Sequence, residues 1–286
     1  MSCIAKAVRK FHRIFERSWN LYRMSHDGNR ISCSIQSSIR AALKHSLTFE
    51  EENWVDRIEH LRTEMNSSTK QITRADYGAR NKDANLKLDE MRAGVEVTDT
   101  LGHISQVASK SPFWCLLLFK LIRNIQPNSC IEMGTAVGLS AAYQAAALTL
   151  NGRGSLVSLE GAASLVHIAR NNFQKLGLDS VEIVVGNFQD TLADVLTARR
   201  PVDFVFVDGH HDEHATLAYF EQILPFLGET ALLVFDDITW SEGMKRAWNT
   251  IAKDKRVGIA VDFGLVGLCA VDNSITKRRR FSVPLY

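Results

Sequence analysis

Short apolar runs alternate with helical segments from residue 129 onward, and this alternation constrains the fold more than any other feature. The runs are Ser129–Met133, Ser155–Glu160, Val181–Val185, 203–207 and 230–235. Strands buried on both faces are continuous apolar runs, and a strand and helix repeat of this spacing is typical of a parallel sheet covered by helices. The pattern predicts an α/β fold with a doubly wound sheet.

Two further apolar runs, 257–263 and 267–271, follow a helical segment at 240–253. Only a few residues separate these two runs. Parallel neighbours need a crossover of about a dozen residues or more. We therefore predict that the last two strands pair in antiparallel orientation.

The first hundred residues lack this alternation. We predict a helical N-terminal extension and cover segment at 1–100 and the main domain at 101–286. Within the extension, apolar residues at helical spacing opposite a basic face predict an amphipathic helix at 4–22. We favour docking of this helix on the main domain or on a partner chain, and docking on a second copy would make a homo-oligomer. A membrane-surface helix and a targeting segment are the alternatives.

The remaining N-terminal segments are less regular. The sequence pattern predicts a linker or short helix at 27–46 and a helix at 50–65. Polar residues and breakers at 66–99 predict a long loop or irregular cover. Residues 100–124 predict two short helices, broken before Pro112 because the residue before a proline disfavours helical geometry.

Composition excludes several classes of protein. Lys and Arg number 34 against 32 Asp and Glu, a net charge of +2, so bulk charge does not favour nucleic-acid binding. The longest apolar run, 113–119, is far shorter than the roughly 20 residues of a membrane-spanning helix. The 5 cysteines are scattered without a CxxC pair, which disfavours a disulfide framework and a cysteine zinc site. These features fit a cytoplasmic protein without a transmembrane segment.

In an open parallel sheet, ligands bind beyond the carboxyl ends of the strands. After the first run, Gly134 lets the backbone approach a ligand closely, and Gly138 opens a helix whose amides face the ligand. A dinucleotide fingerprint reads GxGxxG, but Ala136 stands where its second glycine should be. The first loop therefore disfavours NAD.

Charged and aromatic residues follow the other runs. The Glu160 carboxylate can accept two hydrogen bonds from a ribose diol, as in nicotinamide and adenosylmethionine sites. Phe188 is placed either to flank an adenine or to fill the core. Asp208 follows the fourth run, and Asp236 and Asp237 end the fifth. Adjacent carboxylates are costly to bury without a charged partner or a metal.

The ordered set of these motifs resembles the class I S-adenosylmethionine-dependent methyltransferases. The resemblance is to small-molecule O-methyltransferases of the catechol and caffeoyl-coenzyme A type and their bacterial relatives. It covers residues 129–271 and is strongest in 132–140 with Glu160, in 184–190, and in the acidic strand ends at 207–208 and 235–237. It implies a Rossmann-like sheet of seven strands with an antiparallel final pair.

The resemblance also implies a set of residues around S-adenosylmethionine. These are Glu132, Gly134, Thr135, Gly138, Ser140, Glu160, Gly161, Asn187, Phe188 and Asp208. Glu132, Gly134 and Ser140 would line the methionine half of the cofactor. Glu160 would hold its ribose, and Phe188 would flank its adenine.

The metal-dependent members of these families bind one divalent ion after the fourth and fifth strands, where this chain has Asp208, Asp236 and Asp237. Mg²⁺ there would bind two vicinal acceptor oxygens and lower the pKa of the attacking hydroxyl. Asp237 stands where the catechol enzymes have asparagine, and His211 stands where they have a lysine base. A histidine can act as a base near neutral pH, so the predicted catalytic residues are His211 and Asp208.

The implied function is methyl transfer from S-adenosylmethionine to an oxygen of a small molecule. One alternative is an NAD-dependent oxidoreductase, which Glu160 favours and which Ala136 and the antiparallel final pair oppose. The other is a non-catalytic binding protein on the same fold, indicated by the basic helix at 4–22 and the basic residues at 277–280. The acceptor itself is not predicted, because the resemblance leaves out the N-terminal segments that cover the site.

Overall fold

The computed structural model describes residues 3–77, 94–272 and 274–285, with the backbone alone for residues 3–7, 9 and 10. The strands are β1 Gln71–Asp76, β2 Val95–Thr100, β3 Ser129–Met133, β4 Ser155–Glu160, β5 Val181–Val185, β6 Val202–Val207, β7 Leu227–Phe235, β8 Ile259–Asp262, β9 Gly267–Asp272 and β10 Arg279–Ser282. The helices are α1 Cys3–Ser25, α2 Arg30–Leu43, α3 Phe49–Asn66, α4 Leu101–Ala108, α5 Pro112–Ile125, α6 Leu139–Asn151, α7 Ala163–Leu176, α8 Phe188–Arg199, α9 Glu213–Ile223 and α10 Glu242–Lys253, with a 3₁₀ turn at Leu224–Phe226.

The main sheet has the strand order β10-β8-β9-β7-β6-β3-β4-β5. The strands from β7 to β5 in this order are parallel, and β9 runs antiparallel to both β7 and β8. The predicted doubly wound sheet and its antiparallel final pair are therefore confirmed.

The predicted number of seven strands is wrong, because the sheet has eight strands in the described part of the chain. The eighth, β10, adds parallel to β8 at the edge of the sheet. Its basic residues Arg279 and Arg280 conceal the strand in the sequence, whereas Phe281 packs into the core at 5% exposure.

Both faces of the sheet are covered, which explains why its strands are continuously apolar. In β6, Phe204 and Phe206 join one hydrophobic cluster, while Val205 and Val207 join the cluster on the other face. Successive side chains of a strand point to opposite faces. A polar residue is therefore tolerated mainly near the strand ends, as with Glu160 at the end of β4, and Glu132 inside β3 is a buried exception.

The N-terminal part packs on one face of the sheet. Helix α2 lies against α5, and α3 lies against α6, with Ile35, Ile39 and Ile58 fully buried between them. A buried ion pair from Lys120 of α5 to Glu51 of α3 (2.5 Å) joins the two layers. The division at residue 100 stays a prediction, and the described core is continuous across it.

The helix predicted at 50–65 is present as α3, and the two helices predicted at 100–124 are present as α4 and α5. The predicted loop at 66–99 is wrong at both of its ends, where β1 and β2 form an antiparallel pair. Polar pairs such as the Thr73 and Thr98 hydroxyls (2.7 Å) join these strands, so no apolar pattern marks them. The prediction for 78–93 lies outside the described residues.

Helix α1 forms as predicted; its apolar face is not docked on the body, and docking on a partner chain stays a prediction. Leu21 and Met24 are buried, whereas Phe11, Phe15 and Trp19 of the apolar stripe are exposed. The apolar stripe therefore does not pack on the body. Over the described ranges, none of the helices combines the length and the apolar character that a bilayer crossing requires.

Candidate functional site

A cavity of about 460 Å³ opens at the carboxyl ends of the central parallel strands. Of the ten residues predicted around a cofactor, six line this cavity: Gly134, Glu160, Gly161, Asn187, Phe188 and Asp208. The predicted base His211 and the predicted metal ligand Asp237 also line it. The sheet therefore brings residues from five separate strand ends to one place.

Glu160 connects the first two strand-end loops. One carboxylate oxygen accepts a hydrogen bond from the amide of Ala136 (2.8 Å), and the other accepts one from the amide of Ala162 (2.8 Å). Burial raises the pKa of Glu160, and these two amides oppose the shift. Because each oxygen has a further lone pair, the carboxylate can still accept ligand hydroxyls.

Four of the predicted cofactor residues are not on the cavity wall: Glu132, Thr135, Gly138 and Ser140. The Glu132 carboxylate is fully buried and accepts hydrogen bonds from Gln144 (2.7 Å) and Ser158 (2.6 Å). Burial raises the pKa of Glu132 to about 7. The expectation that Glu132 and Ser140 line the site is therefore wrong. Both side chains are buried in the protein, and Gly134 from this segment lines the cavity instead.

Gly134 and Gly138 are needed for close packing around this loop. A β-carbon on Gly134, whose φ is +108°, would lie 2.1 Å from the Asp208 carbonyl oxygen. A β-carbon on Gly138 would lie 2.9 Å from the Phe173 ring. Both positions adopt left-handed backbone geometry that favours glycine.

Phe188 begins α8 and is held by aromatic neighbours. Its ring lies edge-on to His210 at 5.3 Å and to Tyr219 at 6.1 Å. A β-carbon on Gly209 would lie 2.5 Å from the Phe188 ring, so the glycine permits this placement. His210 hydrogen-bonds Tyr219, and burial lowers the pKa of His210, which indicates a structural role.

The acidic strand ends meet a lysine that the sequence analysis did not single out. The Lys110 ammonium hydrogen-bonds the Asp236 carboxylate and lies 3.7 Å from Asp208 Oδ1. His211 Nε2 lies 3.7 Å from Asp208 Oδ1 and 3.8 Å from Asp237 Oδ2. Burial, with Asp208 beside it, raises the pKa of Asp236. Burial also lowers the pKa of His211, against the effect of the neighbouring carboxylates.

The predicted metal ligands Asp208, Asp236 and Asp237 do not form one ligand group. Among the described residues, the atoms that lie within 4.8 Å of one another belong to Asp208, His211 and Asp236. The Lys110 ammonium already contacts the Asp236 carboxylate of this group. A Mg²⁺ ion favours an octahedron of oxygens. The residues as arranged therefore do not fit a resident Mg²⁺.

Strained backbone is concentrated at this cavity. Ala136, His210, His211 and Asp237 have positive φ, and all four line the cavity. In non-glycine residues such geometry costs of order 1 to 3 kcal/mol and is found mainly at functional sites. This distribution independently supports the cavity as the functional site.

The N-terminal segment covers the cavity with residues that sequence reasoning missed. Arg74 and Tyr77 line it, and a β-carbon on Gly161 would lie 2.6 Å from the Tyr77 ring. Arg74 also forms an ion pair with Asp76 (3.2 Å). Lys110 precedes Pro112, the first residue of α5. No local motif marks these residues, because their approach depends on long-range packing.

A protein-family model matches the part of the chain that forms this site. The model of a family described as a methyltransferase domain matches residues 131–238, which contain the strand ends from Gly134 to Asp237. A catechol O-methyltransferase from Niastella koreensis is 31% identical over 132 residues, or 46% of this chain and 58% of that protein. A caffeoyl-CoA O-methyltransferase from Stellaria longipes is 24% identical over 60% of this chain and 77% of that protein. The chain thus spans somewhat over half of the first relative.

Solved structures share the fold. An O-methyltransferase from Bacillus cereus in complex with SAH has a TM-score of 0.51 and 24% identity, over 58% of this chain and 84% of that chain. An SAH-bound methyltransferase from Podospora anserina has a TM-score of 0.50 and 18% identity, over 58% of this chain and 80% of that chain.

Proposed function

We infer that this chain, which belongs to the class I S-adenosylmethionine-dependent methyltransferases, transfers the methyl group of S-adenosylmethionine to an oxygen of a small acceptor. One observation carries the proposal. The residues matched by the methyltransferase-domain family include the strand ends that line the cavity, where Glu160, Phe188 and Asp208 lie together. The order of the strands then separates their roles.

Strand order assigns the cofactor to one part of the cavity. Glu160 ends β4, and Asp208 follows β6, with β3 between these two strands. Neighbouring strands lie about 4.8 Å apart, so the two carboxylates are separated by the loop at Gly134. We assign Glu160 to the ribose hydroxyls and Phe188 to the adenine. Asp208 would then lie on the side of the cavity that holds the reactive end of the cofactor.

The acceptor is assigned to the space near Asp208, His211 and Trp240 on the same cavity wall. Its hydroxyl oxygen attacks the methyl carbon in line with the sulfur, and the carbon–sulfur bond electrons return to sulfur. The hydroxyl proton leaves to the His211 imidazole, so the products are a methyl ether and S-adenosylhomocysteine. The sulfonium is already reactive, and the protein mainly orients the two partners.

A nicotinamide-dependent oxidoreductase is the weaker alternative. The loop after β3 places Ala136 at positive φ, where the dinucleotide fingerprint needs glycine.

Within the described residues the cysteines Cys33, Cys115, Cys130 and Cys269 are free thiols, and we assign the chain to the reducing cytoplasm.

The test is transfer of tritium from methyl-labelled S-adenosylmethionine to a panel of catechols, other phenols and aliphatic alcohols. We expect a labelled methyl ether from at least one hydroxyl class. His211→Ala should lower kcat while the dissociation constant for S-adenosylhomocysteine changes little. Absence of adenosylhomocysteine binding together with tight NAD binding would refute the proposal.

A further inference from the structure

Lys110 lies between the two acidic strand ends, where the resemblance implies a divalent ion. Its ammonium contacts Asp236 and lies 3.7 Å from Asp208 Oδ1. These side chains are 18%, 2% and 11% exposed, respectively, so little water screens the charges. Burial lowers the pKa of Lys110, but the adjacent carboxylates outweigh this effect and raise it, which keeps the ammonium charged.

The backbone at Lys110 is fixed independently of these carboxylates. Its carbonyl oxygen accepts a hydrogen bond from Arg62 Nη1 (2.9 Å), and Arg62 is itself paired with Glu59 (2.9 Å). The carbonyl also accepts a bond from the Cys115 thiol (3.5 Å). The N-terminal layer thus holds Lys110 in the site. A divalent ion could enter only if this ammonium left, because two cations in contact repel.

We propose that the Lys110 ammonium is the built-in cation of this site and that methyl transfer by this chain requires no divalent metal. The inference rests on the proposed function for its kinetic part. Lys110 holds Asp208 and Asp236 in place and presents positive charge to the acceptor oxygen as its proton leaves. Preorganised charge of this kind in a dry site is worth more than in water.

Metal binding and turnover are measured separately. Titration of the wild-type protein with Mn²⁺, followed by the electron paramagnetic resonance of the free ion, should show no saturable binding in the micromolar range. Turnover should be the same with and without a chelator. Lys110→Met should lower kcat about a hundredfold, leave the adenosylhomocysteine dissociation constant within a factor of about two, and gain Mn²⁺ binding at the freed carboxylates.

Lys245→Met is the matched control, because Lys245 pairs with Glu242 on the exposed surface of α10. It should change neither Mn²⁺ binding nor turnover. Micromolar Mn²⁺ binding by the wild type, or loss of its turnover in chelator, would overturn the proposal. If the wild type binds no cofactor, the proposed function fails, and the Mn²⁺ titrations of wild type and Lys110→Met still decide the role of Lys110.

A second observation concerns α1. The apolar stripe, defined as Val8, Phe11, Phe15, Trp19 and Tyr22, is exposed by 50% to 73%. At about 100° per residue, its members lie within about 40° of Phe15 on the helix. The face that contacts the body lies opposite, so the stripe points away from the protein.

The charge of α1 selects the partner for this stripe. The helix carries Lys6, Arg9, Lys10, Arg13, Arg17 and Arg23 against the single acidic residue Glu16. At the same helical spacing, these basic sequence positions fall mainly on the faces away from the stripe. A second copy would bring a second cationic helix close to the first, which is unfavourable. An anionic membrane surface instead attracts the basic residues and can bury the apolar stripe.

We infer that α1 binds along the surface of an anionic membrane, with the stripe buried at the headgroup boundary and the basic residues facing lipid phosphates and water. Each basic residue near such a surface adds an electrostatic attraction that salt weakens. The body then sits on the aqueous side of the helix. This surface is independent of the catalytic proposal.

Sedimentation with lipid vesicles tests this inference. The protein should pellet with phosphatidylcholine vesicles that contain about 30% phosphatidylserine, but not with pure phosphatidylcholine, and high salt should release it. Phe15→Glu with Trp19→Glu should remain in the supernatant. Phe49→Glu is the matched control, since Phe49 is 80% exposed on α3, and it should pellet like wild type.

No binding to the anionic vesicles would overturn this inference. A dimer in sedimentation velocity that Phe15→Glu dissociates would do the same, because the stripe would then belong to a second copy. Thermal melting of each variant checks that the fold is retained, and exposed positions should leave it unchanged.

Discussion

Replacing Glu160 by glutamine should separate cofactor binding from folding. The carboxylate accepts the Ala136 and Ala162 amides at 2.8 Å each and, in our assignment, the ribose hydroxyls. A glutamine keeps the shape, but its amide group faces one of the two backbone donors. Loss of the charged acceptor for a ribose hydroxyl costs about 1.5 to 3 kcal/mol, or roughly 10-fold to 150-fold in affinity for the cofactor.

The stability of the unliganded protein should change less than this affinity. Burial raises the pKa of Glu160, so the native protein already bears a cost for the charged form. Removing the charge relieves that cost while it weakens the amide bonds. Isothermal titration with S-adenosylhomocysteine gives the affinity, and thermal melting gives the stability.

Glu182→Gln is the control, because Glu182 lies on the neighbouring strand β5, with an exposed side chain paired to Arg199. It should leave the dissociation constant unchanged. If Glu160→Gln binds adenosylhomocysteine within about twofold of wild type, the assignment of Glu160 to the ribose is refuted.

Three further perturbations test the structure around the site. Burial opposes ionisation of Glu51, but the hydrogen bonds from Lys120, Thr48 and Arg123 together outweigh burial and lower the pKa of Glu51. These contacts therefore stabilise the fold at neutral pH and are lost as pH falls through the lowered value, so Glu51→Gln should melt lower at pH 7 and show a flatter acid dependence in calorimetry. Gly161→Ala should displace the Tyr77 ring and weaken adenosylhomocysteine binding, whereas an unchanged dissociation constant would show that this cover does not touch the cofactor. Phe188→Leu should weaken that binding about threefold to tenfold by titration, and an unchanged value would return Phe188 to a purely core role.

The strand ends could be predicted from the sequence because their signal is local. Each apolar run stops at a polar residue, and parallel strands bring those residues to one edge. Gly134, Glu160 and Asp208 therefore reached the cavity as expected. The same rule says nothing about which way a side chain turns near the end of a strand, and the Glu132 side chain, one residue before the end of β3, turns into the protein.

The cover of the site could not be predicted in this way. Lys110 and Tyr77 reach the cavity through packing of segments that are distant in sequence. The strands β1 and β2 are joined by polar pairs, which look like loop residues in the sequence. The two arginines of β10 likewise look like loop residues in the sequence, so no apolar pattern marks this strand. Local periodicity detects burial, and these elements are stabilised mainly by other contacts.

A crystal structure of the chain with S-adenosylhomocysteine tests the central claim most directly. We expect the ribose hydroxyls to contact Glu160, the adenine to lie against Phe188, and the sulfur to face Asp208 with Lys110 still paired to Asp236. Adenosylhomocysteine bound outside this cavity, or bound with its ribose away from Glu160, would contradict the claim.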